Sequence, residues 1–425
     1  MTTTFTSGGR RVRDGIEDAH TYDARMSDEG PLGGNDPFAS LPFFGDLFRM
    51  LSSSSSPAAA WDSARQLAVS VATEGQSEHN VDPSQRIALE QLGRVADLYV
   101  ANASGLTTAV GGRSPEITPV TRGEWARQTI DAYRPLLERL SASLISQPSP
   151  LPAELADDPA AAMFAPMMQA MAPMLLAMTA GSMVGQLATR CLGGFDLPIP
   201  RSNSHELLVI VHNVDHFSEE WSLPVDELRL WVCIHELAHH AVLGMAHVSD
   251  TLHDLLEAYA SGFRADPAAL LDRVGDIDPA AGADALARLQ ESLSDPDVVL
   301  GVVQSPQQRA MLPNLEALVA VIVGVVDHVM DAIGTSLMPA YDRITEAVRR
   351  HRVETGRADR FVERILGLNL TQAQYDRGNA FVNGVVERAG EAGVARLWDR
   401  AENLPTPAEV DAPGLWLARL DLPDA

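Results

Sequence analysis

From Trp61 onward, apolar residues recur at i, i+3, i+4 and i+7, the spacing of amphipathic helices. The stretches "AWDSARQLAVSVATEG", "PSQRIALEQLGRVADLYVANASG" and "TRGEWARQTIDAYRPLLERLSASLI" all follow it, with prolines and glycines between them. Further along, the pattern predicts helices over Asp250–Gly262, Pro279–Leu293, Leu315–Gly334, Met338–Arg352 and Ala358–Gly367. "FVNGVVERAGEAGVARLWDRAENLPTPAEV" then reads as helix, helix and Pro-rich turn. Only "ELLVIVHN", Glu206 to Asn213, has the β-branched character of a strand. The expected fold is mainly α, with many helices and at most a small strand element. No fixed-period repeat points to a solenoid.

Two regions depart from this pattern. Residues 1–57 mix Gly, Ser, Asp and Thr, end in "SSSSSP", and are expected to be mostly disordered. Within them "DPFASLPFFGDLFRMLS" predicts a short helix near residues 40–52, which either docks on its own core or offers Leu41–Leu51 to a protein partner. The helical domain is expected over residues 58–425. Pro159 to Thr189 carries no charge and is rich in Ala and Met. Pro166 and Pro173 interrupt it, so a buried helical hairpin is expected rather than a membrane span. Gly181 and Gly185 give a spacing that suits close helix packing.

Charge narrows the partners. The 425-residue chain has a net charge of −25, which argues against nucleic acid, because phosphate contacts need clustered Lys and Arg. Its two cysteines, Cys191 and Cys233, exclude a disulfide framework and suit a reducing compartment. The N-terminal residues have no apolar core of a secretory signal, so a cytoplasmic location is expected, with no membrane and no nucleic-acid partner. The basic run Arg349 to Arg360 reads as a solvated helix end and turn, with binding of a substrate carboxylate or phosphate as the alternative.

One motif carries chemistry. "WVCIHELAHHAVLGM" holds His-Glu-x-x-His on a predicted helix over about residues 224–244. Residues four apart share a helix face, so His235 and His239 suit two corners of a tetrahedral zinc site. Glu236 lies beside them, where a carboxylate takes a proton from metal-bound water. Pro224, Asp226 and Glu227 suit the start of this helix and Gly244 its end. His240 points about 100° away from His239 and is not expected to be a ligand. His247 and His253 are expected to face solvent.

A zinc site needs a third protein ligand. Glu257 lies on the next predicted helix, though a Glu there is also the ordinary solvated residue of an amphipathic helix. Asp327 lies on the very apolar helix "LEALVAVIVGVVDHVMDAIG", where a carboxylate needs a partner.

The chain resembles the zincin-like metallopeptidase type 2 family of actinobacteria. The resemblance runs from about Asp36 to Leu420 through "LPFFGDLFRML", "WDSARQLAVSVATEGQSEHNVDP", "VGQLATRCLGGFDLPIP", "ELRLWVCIHELAHH", "DHVMDAIG", "RFVERILGLNL" and "ARLWDRAENLPTPAEV", in the family's order. It implies a helical zincin-like domain, His235 and His239 as zinc ligands and Glu236 as base. Many members have lost one of these histidines, whereas this chain keeps both. Members commonly read Glu-Gly where this chain has Val323-Gly324, and that Glu looks like the natural third ligand. Here Asp327, Glu257 or water would complete the site, or zinc is no longer held tightly. One branch of the family is associated with deazaflavin coenzymes, but no glycine-rich phosphate loop supports that link here.

Two functions follow as expectations. The first is a zinc-dependent hydrolase acting on a peptide or protein, with Glu236 as general base. The second is a catalytically inactive zincin-fold scaffold acting through protein–protein contacts.

Overall fold

The computed structural model describes residues 57–146, 159–201, 205–265, 302–303, 305–353, 357–368 and 370–422. The segment Leu41–Leu51 and the helix expected over Pro279–Leu293 lie outside them.

Helices dominate, as their apolar period requires. The first group comprises α1 (Pro57–Ala72), α2 (Pro83–Ser104), α3 (Arg122–Ser146) and α4 (Pro159–Ala188). After strand β2 (Glu206–Ile210) come α5 (Val211–Glu220), α6 (Val225–Leu243) and α7 (Ala246–Ala260). The last long elements are α8 (Pro306–Leu337), α9 (Tyr341–Val353), α10 (Arg357–Leu366) and α11 (Gln372–Ala389), before short turns of helix up to Leu420.

α1, α3 and α4 pack as a layer, and α8 packs along α11. Gly181 and Gly185 explain how closely α4 approaches α1. A methyl group at Gly181 would collide with the Ala64 backbone, and one at Gly185 would lie 2.6 Å from Val71. The expected hairpin over Pro159–Thr189 is instead one continuous helix. A proline removes a single backbone donor, and a long, packed helix can absorb that loss as a bend.

The strand element is small but positions the site. β1 (Glu116–Val120), absent from the sequence expectation, pairs in parallel with β2 from Glu116↔Glu206 to Val120↔Ile210. β2 is shorter than "ELLVIVHN", because the chain turns into α5 at Val211. On its other edge Ile210 donates its N–H to the Leu192 carbonyl at 2.9 Å, and Gly193 bridges to Val209. The turn after α4 is thereby pinned to the sheet. Arg264–Ala265 and Val302–Val303 form a two-residue antiparallel pair.

α6 is central, lying between α2 and α8. Asp226 and Glu227 in its first turn complement the positive end of its dipole. Glu227 also accepts the Ala340 N–H at 2.7 Å, tying it to the start of α9. From Trp231 to Leu243 every residue of α6 is buried, so the helix is core on all sides. α8 begins with a capping box between Ser305 and Gln308. Among the described residues it is the helix long and apolar enough to cross a membrane, yet 78% of that apolar window is buried within the protein. Cys191 and Cys233 are buried thiols without a disulfide.

Candidate metal centre

His235 and His239 lie one turn apart on α6, with ring centroids 4.4 Å apart. Neighbouring rings orient them: Trp231 stacks on His235 at 5.1 Å and Phe195 on His239 at 5.8 Å. Nδ1 of His239 lies 3.1 Å from the His235 carbonyl oxygen. That oxygen only accepts, so Nδ1 carries the proton and Nε2 holds the lone pair. At His235 the partner is a side chain 117 residues away. Arg352 Nη2 donates to His235 Nε2 at 3.1 Å. A guanidinium only donates, so this imidazole is protonated at Nδ1, which faces Glu236 Oε1 at 3.5 Å. Both rings are neutral. Burial, then the Arg352 charge, pushes the His235 pKa down to about 3. Burial, then the His235 ring, pushes that of His239 down as well.

Glu236 has no solvent exposure. Its carboxylate accepts the Gly194 N–H at 2.9 Å and the Phe195 N–H at 3.1 Å on both oxygens. The turn lies directly on the carboxylate, and a methyl group at Gly193 would overlap it. Asp196 holds the same turn from within, accepting the N–H groups of Leu192 and Gly193 at 2.5 and 2.8 Å. Trp125 Nε1 donates to the Gly193 carbonyl at 2.8 Å, and Arg201 to the Gly194 carbonyl at 3.0 Å. Burial, followed by the Asp196 charge, raises the Glu236 pKa to about 8, although the Phe195 and Gly194 donors oppose the rise.

The candidate third ligands lie elsewhere. Glu257 on α7 pairs with His253 at 3.2 Å and Arg139 at 3.5 Å. α7 buries Leu252, Leu256 and Tyr259, and Glu257 occupies a more exposed position beside that face. Asp327 on α8 is half-buried, and Asn379 donates to it at 3.2 Å. Burial raises its pKa, and the Arg352 charge opposes that rise. Val323 is buried one turn before it. Among the described residues no three His, Cys, Asp or Glu side chains are gathered as a metal site. His240 is buried off this face, His253 is exposed as expected, and His247 is partly buried with Nε2 3.2 Å from the Leu397 carbonyl.

Zinc therefore does not fit the side chains as they stand. Among the described residues two imidazoles meet on this face of α6, and an arginine holds the lone pair of one. Sequence patterning does not single out Arg352, which lies in the basic run expected to be a solvated helix end. It turns inward from the last turn of α9, and its guanidinium lies 4.6 Å from the Tyr375 ring centroid.

A mostly helical fold with a buried His-Glu-x-x-His helix defines a zincin-like protein. The chain belongs to the zincin-like metallopeptidase family, whose model matches residues 60–417. Its fold is also similar to a crystal structure from Chloroflexus aurantiacus, provisionally described as a hydrolase with a novel fold. That match has a TM-score of 0.55 at 24% identity and covers 86% of this chain and 99% of the other. No curated protein sequence matches the chain.

Proposed function

We propose that this chain is a binding protein on the zincin-like fold, in which His235, Glu236 and His239 form a structural hub instead of a hydrolytic centre. The observation that carries this reading is the state of Glu236. A general base must reach the proton it removes. Glu236 is wholly buried, and both its oxygens accept backbone N–H groups of the Gly194–Phe195 turn. A surface for contacts is available on α2, where Ile87, Val95, Leu98 and Tyr99 expose apolar side chains over one arc of the helix. A peptide or protein is the partner chemistry that suits it.

Family membership and the imidazole pair favour a second reading, a zinc-dependent peptidase. The Nδ1 proton of His239 on a backbone carbonyl is the arrangement that commonly orients a metal-binding imidazole. That reading requires Arg352 to leave His235 and Glu236 to leave the turn.

Elemental analysis of the purified full chain, with hydrolysis of a fluorogenic peptide panel, separates the two. We expect well under one zinc per chain, a melting temperature unmoved by chelator, and no hydrolysis that depends on Glu236. One zinc per chain, with hydrolysis lost in Glu236→Gln, would establish the peptidase.

A further inference from the structure

We propose that Arg352 is a built-in cation that occupies the metal position of the histidine pair, so that its presence keeps zinc off His235. This deepens the metal-free reading above and rests on it.

An imidazole nitrogen has one lone pair, which serves either a donor or a metal. On His235 Nε2 it is taken by Arg352 Nη2 at 3.1 Å. Guanidinium stays protonated at every physiological pH, so acid or base does not release it. Its positive charge would also repel a divalent ion at the same place.

The surroundings suit a resident cation. The guanidinium lies over the Tyr375 ring, an arrangement that favours a positive charge. Asp327 on α8 and Asp196 in the turn after α4 lie close enough to act on that charge. Arg352 thus joins α9 to α6 and α11 at one point, with Asp327 of α8 near enough to act on its charge.

Removing the cation should therefore expose a weak metal site. Arg352→Met keeps the apolar stem, frees His235 Nε2 and abolishes the repulsion. Zinc titration and elemental analysis on the full chain should show a rise in affinity of about tenfold or more over wild type. The gain should vanish in Arg352→Met/His235→Ala. Arg352→Ala, which likewise removes the charge and leaves His235 Nε2 without a donor, serves as the second variant if Arg352→Met does not fold. Equal zinc content in wild type and a folded variant overturns the inference. If both are empty, Arg352 is not what excludes the ion, and the metal-free reading stands. If both are loaded, that reading fails as well. The wild-type chain gives an independent test by nitrogen-15 NMR of its imidazoles. We expect His235 protonated at Nδ1 with Nε2 accepting, and a proton on Nε2 overturns the proposal.

Discussion

Glu236 and Phe195 are joined by the backbone N–H of Phe195, which lies 3.1 Å from each carboxylate oxygen across 41 residues of chain. The bond makes Glu236 part of the packing between α6 and the turn after α4. Replacing it with Ala leaves the buried N–H groups of Gly194 and Phe195 without an acceptor. Each such loss costs about 1–3 kcal/mol, so Glu236→Ala should lose about 2 kcal/mol or more of folding stability. Glu236→Gln, which keeps one acceptor oxygen, should lose less. Urea denaturation of both variants checks this. A base held in an open cleft would leave stability nearly unchanged in both.

Gly193 faces the same carboxylate. Its φ is ordinary for any residue, so its role is space. The Cβ of Gly193→Ala would overlap Glu236, and the Gly193 carbonyl is fixed by Trp125 Nε1 at 2.8 Å. The turn must shift or Glu236 must leave its donors. Overpacking of this kind costs about 1–3 kcal/mol. We expect a lower melting temperature and a change in Trp125 fluorescence, since the indole N–H loses its position.

The α1–α4 contact makes a prediction away from the site. In an exposed helix Gly→Ala is stabilising by about 1 kcal/mol. At Gly181 the sign should reverse, because the added methyl group meets the Ala64 backbone, which cannot rotate away. Gly181→Ala should be destabilised in a chemical denaturation experiment. A gain in stability would mean that the two helices do not approach at this point.

The helices were legible because burial of one face repeats every 3.6 residues, and a local rule suffices to see it. The His235–His239 pair was legible for the same reason, since i and i+4 share a face within one helix. β1 was not, because "EITPV" is short and its Pro119 lacks a ladder donor. Arg352 and the Gly193–Phe195 turn were missed for a different reason. Their contacts with α6 span 117 and 41 residues, and no local pattern encodes such meetings. A charged run at a helix end reads as solvated until tertiary packing turns one member inward. Glu257 shows the reverse case, a carboxylate at a plausible spacing whose partners proved to be Arg139 and His253.

Titration of the hub gives the last prediction, because its members act in opposite directions. An unperturbed His has a pKa of 6.5, whereas folded His235 is held at about 3 and folded His239 is also lowered. Below pH 6.5 the unfolded chain gains protons that the folded chain refuses. Stability therefore falls as pH drops from 6.5, by up to about 1.4 kcal/mol per pH unit for each ring, and the His235 contribution ends near pH 3. Glu236 works the other way, with a folded pKa of about 8 against an ordinary 4.5. Its contribution is complete below pH 4.5 and is lost as pH rises through 8. Between pH 4.5 and 6.5 the two rings outweigh the one carboxyl group, and above 6.5 the carboxyl group acts alone. The hub's contribution should peak near pH 6.5. Urea denaturation across pH, compared with Glu236→Gln, isolates the carboxyl group from the rest of the chain. Gln cannot ionise, so the alkaline decline should flatten in that variant. An equal decline in both would show that Glu236 is already ionised in the folded protein, and that the turn holds it as an anion.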